Sequence, residues 1–272
     1  ASNTEYAYRV RLGGHTLDAG RFRTEEELQV PNAGMESWYS EDGKIWKELW
    51  ITKGPYWYYW YPWNASDVST QGWNTINLKT TNADWKYQYN AISGTMRTDD
   101  KHSGNYAALI RTVGWGSGNS AVGLANAANI DPGYLYLGNY DAAAQKPDFG
   151  YSFPSRPSTL GFWYKYTTKE GIGDQFSVDV VVENRENGVV TELGRGNFRE
   201  GVNRSAYAHG VVSIKYNHVG LHLKATHIYI SFKSGDNTSN NSLLEVPEFA
   251  NLSDGKYVGS QLYIDDIELI YE

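Results

Sequence analysis

Ser177-Val178-Asp179-Val180-Val181-Val182-Glu183 leads to Glu186-Asn187-Gly188, and Val189-Val190-Thr191-Glu192-Leu193 resumes beyond it. The first stretch alternates apolar and polar residues with a period of two, the signature of a half-buried strand, and the last resumes beyond the turn. Asn-Gly between two such runs favours the tight turn with positive φ that joins antiparallel strands. The segment therefore predicts a β-hairpin, and the rest of the chain repeats the pattern. Ala107 to Thr112, Leu160 to Tyr166, Gly210 to Tyr216, His227 to Phe232 and Gln261 to Tyr271 read as further strands, separated by Gly, Asn, Asp and Pro clusters. Helical periodicity is confined to two short stretches, Thr24 to Leu28 and Asp141 to Gln145. Strands do not alternate with helices, so a parallel α/β fold is excluded, and the expected class is an all-β, antiparallel β-sandwich of the jelly-roll kind.

Composition bounds what such a fold can do. With 272 residues the chain can bury a full core unaided, and the absence of cysteine removes disulfides, thiolate metal sites and cysteine nucleophiles. A net charge of -7 with scattered Lys and Arg argues against a nucleic-acid partner. No apolar run approaches the ~20 residues of a transmembrane segment. The start, Ala1-Ser2-Asn3-Thr4-Glu5, carries neither an initiator Met nor a signal peptide, and reads as a chain trimmed of an export signal or lipid anchor. Residues 1–30 differ in texture: Tyr6 to Leu12 alternates cleanly, meets Gly13-Gly14, and turns charged. That segment predicts a strand or linker, either the remnant of an upstream domain or an extra edge strand. A soft boundary before Pro31 leaves 31–272 as the jelly roll.

The aromatic load is high, with 22 Tyr and 10 Trp. Flat aromatic faces pack on the C–H patches of sugar rings while polar side chains fix the hydroxyls; the same residues also populate ordinary strands. The run Tyr56 to Tyr61 between Pro55 and Pro62 cannot all be buried on one side, because successive strand residues face opposite ways. Trp63 and Trp73 have loop-like surroundings, with Asn74 and Asn77 close by, and are candidate sugar contacts. On the strand Leu160 to Tyr166, Leu160, Phe162, Tyr164 and Tyr166 share the core face, and Trp163 and Lys165 share the other. The Trp163–Lys165 pair reads equally as a sugar platform or as a surface cation–aromatic contact. Asp174, in the turn Gly171-Ile172-Gly173-Asp174, is either a hydroxyl acceptor or a structural turn residue.

Three motifs frame the chain in order: Pro31-Asn32-Ala33-Gly34-Met35-Glu36-Ser37-Trp38, His102-Ser103-Gly104-Asn105-Tyr106-Ala107-Ala108-Leu109, and Leu262-Tyr263-Ile264-Asp265-Asp266-Ile267-Glu268-Leu269. Their order resembles the galactose-binding-like jelly rolls of many carbohydrate-binding modules. Gln71 to Asn77, Ser103 to Leu109, Arg156 to Tyr166 and Gly259 to Asp266 are similar to segments of the "putative carbohydrate metabolism domain" family of Bacteroidetes. The resemblance runs from about Pro31 to the C-terminus. It implies a jelly roll with a sugar-holding pocket and no defined activity, in an exported protein of the periplasm or cell surface whose partner is a polysaccharide or oligosaccharide. It also implies a structural calcium tying the first strand to the last, with Glu36, Ser103 and Asp265 as ligands. The chemistry is compatible, since calcium takes about 6–8 oxygen ligands. Period-two counting puts Asp265 on the face of Tyr263, Ile267 and Leu269, toward the core, where a carboxylate must be paired or metal-bound. Glu36 and Asp265 accepting only backbone N–H groups is the alternative.

Catalytic signatures are weak. A glycoside hydrolase needs two facing carboxyl groups, and Asp99, Asp100, Asp174, Glu183 and Glu245 are candidates that sequence cannot pair. No Gly-x-Ser-x-Gly elbow, Walker loop or His-Glu-x-x-His is present. Gly116 to Ala121 has a loose Gly-x-Gly-x-x-Ala spacing without a βαβ context, and His218 and His222 sit in a β setting unsuited to a metal pair. Three expectations remain: a non-catalytic carbohydrate-binding or glycan-utilisation accessory protein, a glycoside hydrolase or lyase on the same scaffold, and a structural or adhesive surface domain.

Overall fold

The computed structural model describes residues 2–42, 58–81, 83–84, 89–90, 93–115, 129–218, 222–239 and 258–271. Strands β1 (Glu5–Leu12) and β2 (His15–Arg23) form a hairpin, as do β3 (Tyr39–Asp42) and β4 (Tyr58–Tyr61). A 3-10 turn (Val68–Thr70), β5 (Trp73–Thr75) and the one-turn helix α1 (Asn77–Thr80) follow. Next come β6 (Ala83–Asp84) paired with β7 (Tyr89–Asn90), β8 (Thr95–Thr98), β9 (Ala107–Trp115), β10 (Asn129–Asp131), β11 (Tyr134–Asp141), β12 (Lys146–Phe149) and β13 (Tyr151–Ser152). The long strands β14 (Thr159–Thr167), β15 (Phe176–Glu186), β16 (Val189–Glu200) and β17 (Arg204–Ser213), the short β18 (Lys215–Tyr216), then β19 (His227–Lys233) and β20 (Val258–Ile270) complete the chain.

Two antiparallel sheets face each other. One runs β10-β9-β20-β14-β17, with β8 also on β9. The other runs β12-β11-β19-β15-β16-β18, with β5 on β11 and β13 on β19. This is the jelly-roll sandwich that the alternating strands predicted. The β15–β16 hairpin turns at Asn187 and Gly188, with φ of 53° and 76°, as its Asn-Gly pair requires.

The core is aromatic because the strands place alternate rings inward. Phe162 of β14 meets Phe232 of β19 edge-on at 5.4 Å and Phe198 of β16 at 5.7 Å, joining the two sheets. Leu160, Phe162, Tyr164 and Tyr166 are all buried, whereas Trp163 and Lys165 lie half-buried on the outer face. Each large side chain withdrawn from water in this way contributes about 1.5–3 kcal/mol.

Both helical expectations give way to tertiary contacts. Residues 24–28 run without helix, because Arg156 pairs with Glu25 at 2.8 Å, Ser155 Oγ donates to the Glu26 carbonyl and Tyr271 OH donates to the Leu28 carbonyl. Asp141 to Gln145 forms the tight turn between β11 and β12, with the Asp141 carboxylate accepting the N–H groups of Ala143 and Ala144. Among the described residues the β1–β2 hairpin forms a two-stranded sheet of its own. Gln29 docks the following segment, donating to the Leu269 carbonyl at 2.6 Å and accepting its N–H at 2.8 Å. No described helix is long and apolar enough to cross a membrane.

Candidate functional site

Strand β11 pairs with β5 and β19, and β13 pairs with β19, so these four strands are neighbours in one sheet beside the loop from Trp63 to Gly72. Together they line an open cavity of about 610 Å³ walled by Trp63, Val68, Asn74, Asn139, Ser152 and His227, with Gln71, Trp73 and Tyr151 also lining it. That size lies within the ~300–1,000 Å³ of small-ligand clefts. Its floor depends on close backbone approach. Gly72 has φ of 150°, and a β-carbon there would lie 2.7 Å from Pro31 Cγ and 2.9 Å from the Tyr151 ring.

The chemistry of the wall is neutral and polar. The side chains of Gln71, Asn139 and Ser152 hold no hydrogen-bond partner among the described residues. Asn74 accepts only the Thr75 N–H, through Oδ1 at 2.9 Å, which leaves its amide NH2 to the cavity. His227 Nδ1 is bound to Thr226 Oγ1 at 2.9 Å. Burial, and then the Arg185 guanidinium, hold the His227 imidazole below its usual pKa, so the ring is neutral at pH 7. Among the described residues lining this cavity there is no carboxylate.

Of the residues expected from sequence, the structure brings Trp63, Trp73 and Asn74 to this cavity. Trp73 is no loop residue: it is on β5, 1% exposed, packed on Phe232 and donating its indole N–H to the Pro31 carbonyl at 2.7 Å. It borders the cavity as part of the core. Asn77 is a correction. It is 2% exposed, and its amide NH2 donates to the Trp60 and Thr95 carbonyls while Oδ1 accepts the Thr95 N–H. Asp174 is likewise a buried strut, accepting the N–H groups of Gln175, Asp236 and Asn237 and the Ser260 hydroxyl.

Trp163 and Lys165 lie on the other sheet, on a surface already covered. His102 stacks on the Trp163 ring at 3.8 Å with an interplanar angle of 10°, and His209 approaches at 5.2 Å. Lys165 is paired with Asp100, and its ammonium lies 4.7 Å from the Tyr263 ring centre. The loop at 99–103 thus occupies the platform that the alternation exposed.

Glu36, Ser103 and Asp265 do converge, but as a hydrogen-bonded clasp. Asp265 shares Tyr263's outer face rather than the core face, because a bulge with Asp266 at φ 44° intervenes before Ile267 and Leu269 turn inward. The carboxylate of Asp265 accepts the N–H groups of His102, Ser103 and Asp266. Burial raises its pKa, and those N–H groups pull it back. Glu36 accepts Asn105 N–H on both oxygens and Tyr106 N–H at 3.2 Å. Ser103 Oγ donates to Asp266, and His102 Nδ1 lies 2.7 Å from the same carboxylate. The loop carbonyls are engaged too: Ala33 accepts Ile267 N–H, Asn32 accepts Met35 N–H and Met35 accepts the Trp38 indole. Among the described residues no three acidic or His side chains gather as a cation cage. Glu36 and Asp265 thus each accept backbone N–H groups, whereas a bound calcium takes about 6–8 oxygen ligands.

The other enzyme candidates scatter. Glu183 pairs with Arg185 beside β19, Asp99 and Asp100 lie on an exposed loop, and His218 and His222 are exposed. Gly116 to Ala121, Glu245 and Pro55 to Trp57 lie outside the described residues. Sequence reasoning missed Asn139, Ser152 and His227, which come from three separated strands. Gly138-Asn139 and Gly150-Tyr151-Ser152, polar residues beside glycine in β context, were the local signals available.

No family model matches the chain, and no curated protein does. Among solved structures, a Bacteroides thetaiotaomicron protein described as a "putative glycoside hydrolase" superposes with a TM-score of 0.51 at 14% identity, over 100% of this chain and 79% of that one. A Bacteroides vulgatus protein described in the same words gives 0.47 at 18% identity, over 66% and 78%. A family 11 carbohydrate-binding module of a Clostridium thermocellum cellulosomal cellulase gives 0.31 at 11% identity, over 74% and 89%. At these identities the likeness to the first is one of fold, and it places the chain among β-sandwich proteins of that architecture.

Proposed function

We propose that this is a non-catalytic carbohydrate-binding protein, an exported accessory of glycan utilisation, and that the cavity beside Trp63 holds the sugar. One observation carries the reading: a neutral cavity pairs an aromatic wall with amide and hydroxyl groups that no described residue engages. Sugars present both C–H faces and hydroxyls, so such a wall is complementary to them. The polar groups of Asn77, Asp174 and Lys165, by contrast, are engaged by the protein itself.

Most glycoside hydrolases use two carboxyl groups about 5–9.5 Å apart across the scissile bond, and the described lining supplies none. The fold neighbour from Bacteroides thetaiotaomicron is described as a "putative glycoside hydrolase", which supports carbohydrate as the ligand class.

Calorimetry against plant and host polysaccharides tests this reading. Binding of at least one glycan is expected, weakened by Trp63→Ala, with no reducing ends released. Release of reducing ends would replace it with the hydrolase reading, and no binding to any glycan would leave a structural or adhesive domain.

A further inference from the structure

The wall residue Trp63 is also the end of a second aromatic surface. Strands β3 and β4 pair Tyr39 directly opposite Tyr61, and their rings stack at 4.6 Å with an interplanar angle of 11°. Trp63 touches both, at 5.0 Å from Tyr61 and 5.9 Å from Tyr39. Alternation sends the other face of the hairpin to the body, where Trp60 meets the Arg97 guanidinium at 5.1 Å and Arg97 covers Tyr106. Tyr39, Tyr61 and Trp63 lie outside the hydrophobic core cluster and are half-buried. Both phenols donate to the exposed Glu41 carboxylate, at 3.4 and 3.3 Å, which are long bonds that leave acceptor capacity at the rim.

We infer that the cavity continues onto this shelf, so that the ligand is a chain of several sugars whose next units rest on Trp63, Tyr61 and Tyr39, with Glu41 accepting their hydroxyls. The inference rests on the cavity being the sugar site, and deepens it from sugar to oligosaccharide. Rings that serve no core, run without a break from a cavity wall and carry an acceptor at their edge are suited to a repeating ligand with alternating C–H and hydroxyl surfaces.

The test is calorimetry with one-, two- and six-unit members of the cello-, xylo-, manno- and galacto-oligosaccharide series. For at least one series the six-unit member should bind about 10-fold more tightly than the shortest, equivalent to about 1.4 kcal/mol. Tyr61→Ala, and separately Tyr39→Leu, which keeps apolar bulk, should remove that gain and leave the shortest ligand unchanged. Thermal melts of both variants identify which is folded at the assay temperature, and Glu41→Gln, on the exposed rim, gives a third reading with about a 3-fold loss on the six-unit ligand alone. Affinity independent of length, or an unchanged six-unit affinity in the folded variants, overturns the shelf while leaving the cavity as the sugar site. Absence of binding at every length overturns both.

Discussion

Around Trp163 and around Trp63, an aromatic ring stands beside polar side chains on the outer side of a sheet. At Trp163 the neighbours answer one another: His102 covers the ring, Asp100 takes Lys165, and Asp266 takes His102 and Ser103. At Trp63 the neighbours Gln71, Asn139 and Ser152 keep their polar groups toward a cavity. Residue type does not separate these two places. Whether a nearby loop satisfies the polar groups does, because a satisfied group has nothing left to offer a ligand.

The largest effect expected from breaking this contrast falls on a residue of the satisfied kind. Asp174→Ala leaves the N–H groups of Gln175, Asp236 and Asn237 without their acceptor at a site 3% exposed. The expected loss is about 4 kcal/mol of stability, read by denaturant unfolding, with glycan affinity of the folded fraction unchanged. A loss of affinity without loss of stability would return Asp174 to the list of sugar contacts.

The two tryptophans make the comparison direct. Trp63→Ala should weaken glycan binding by about 30-fold, or roughly 2 kcal/mol, as for an aromatic anchor at the centre of a binding surface. Trp163→Ala should leave affinity intact and reduce stability by about 2 kcal/mol, a partial version of a buried aromatic deletion. The reversed pattern would move the sugar site to the other sheet.

What could be read in advance follows from the range of each physical rule. The β15–β16 hairpin was legible because alternation and an Asn-Gly turn act over neighbouring residues, and the faces of β14 followed from the same alternation. Asp265 was assigned to the wrong face because one left-handed residue, Asp266, breaks the count. Lys165 and Trp163 were correctly turned outward, yet their cover comes from a loop more than fifty residues earlier. The cavity itself was only partly legible. Trp63 and Asn74 announced themselves through an aromatic-and-amide texture, while Asn139, Ser152 and His227 meet only because β11, β13 and β19 pair.

A smaller effect is expected from pH. His227 has its pKa lowered, chiefly by burial and then by Arg185, so the folded chain refuses a proton that the unfolded chain accepts at about 6.5. Its contribution to stability is therefore present above that value and lost as pH falls through the folded pKa. Melts of the wild type should decline relative to His227→Gln over that acid window and run parallel between pH 7 and 8. Parallel curves throughout would mean that the imidazole titrates as it does in water.

The smallest effect expected is that of calcium, and its smallness is informative. The clasp of Glu36 and Asp265 joins the start of the sandwich to its last strand through backbone N–H donors whose positive ends already face the carboxylates. A cation entering there would have to displace those donors before gaining its own oxygens, so the clasp should hold without it. Melting temperatures in calcium and in EDTA should agree to within about 2 °C, whereas Glu36→Gln should cost about 1–2 kcal/mol in either buffer by weakening charge-assisted bonds to Asn105 and Tyr106. A calcium-dependent rise in the wild type that Glu36→Gln abolishes would show that these oxygens turn toward an ion, and that the two ends of the jelly roll are joined by metal rather than by backbone.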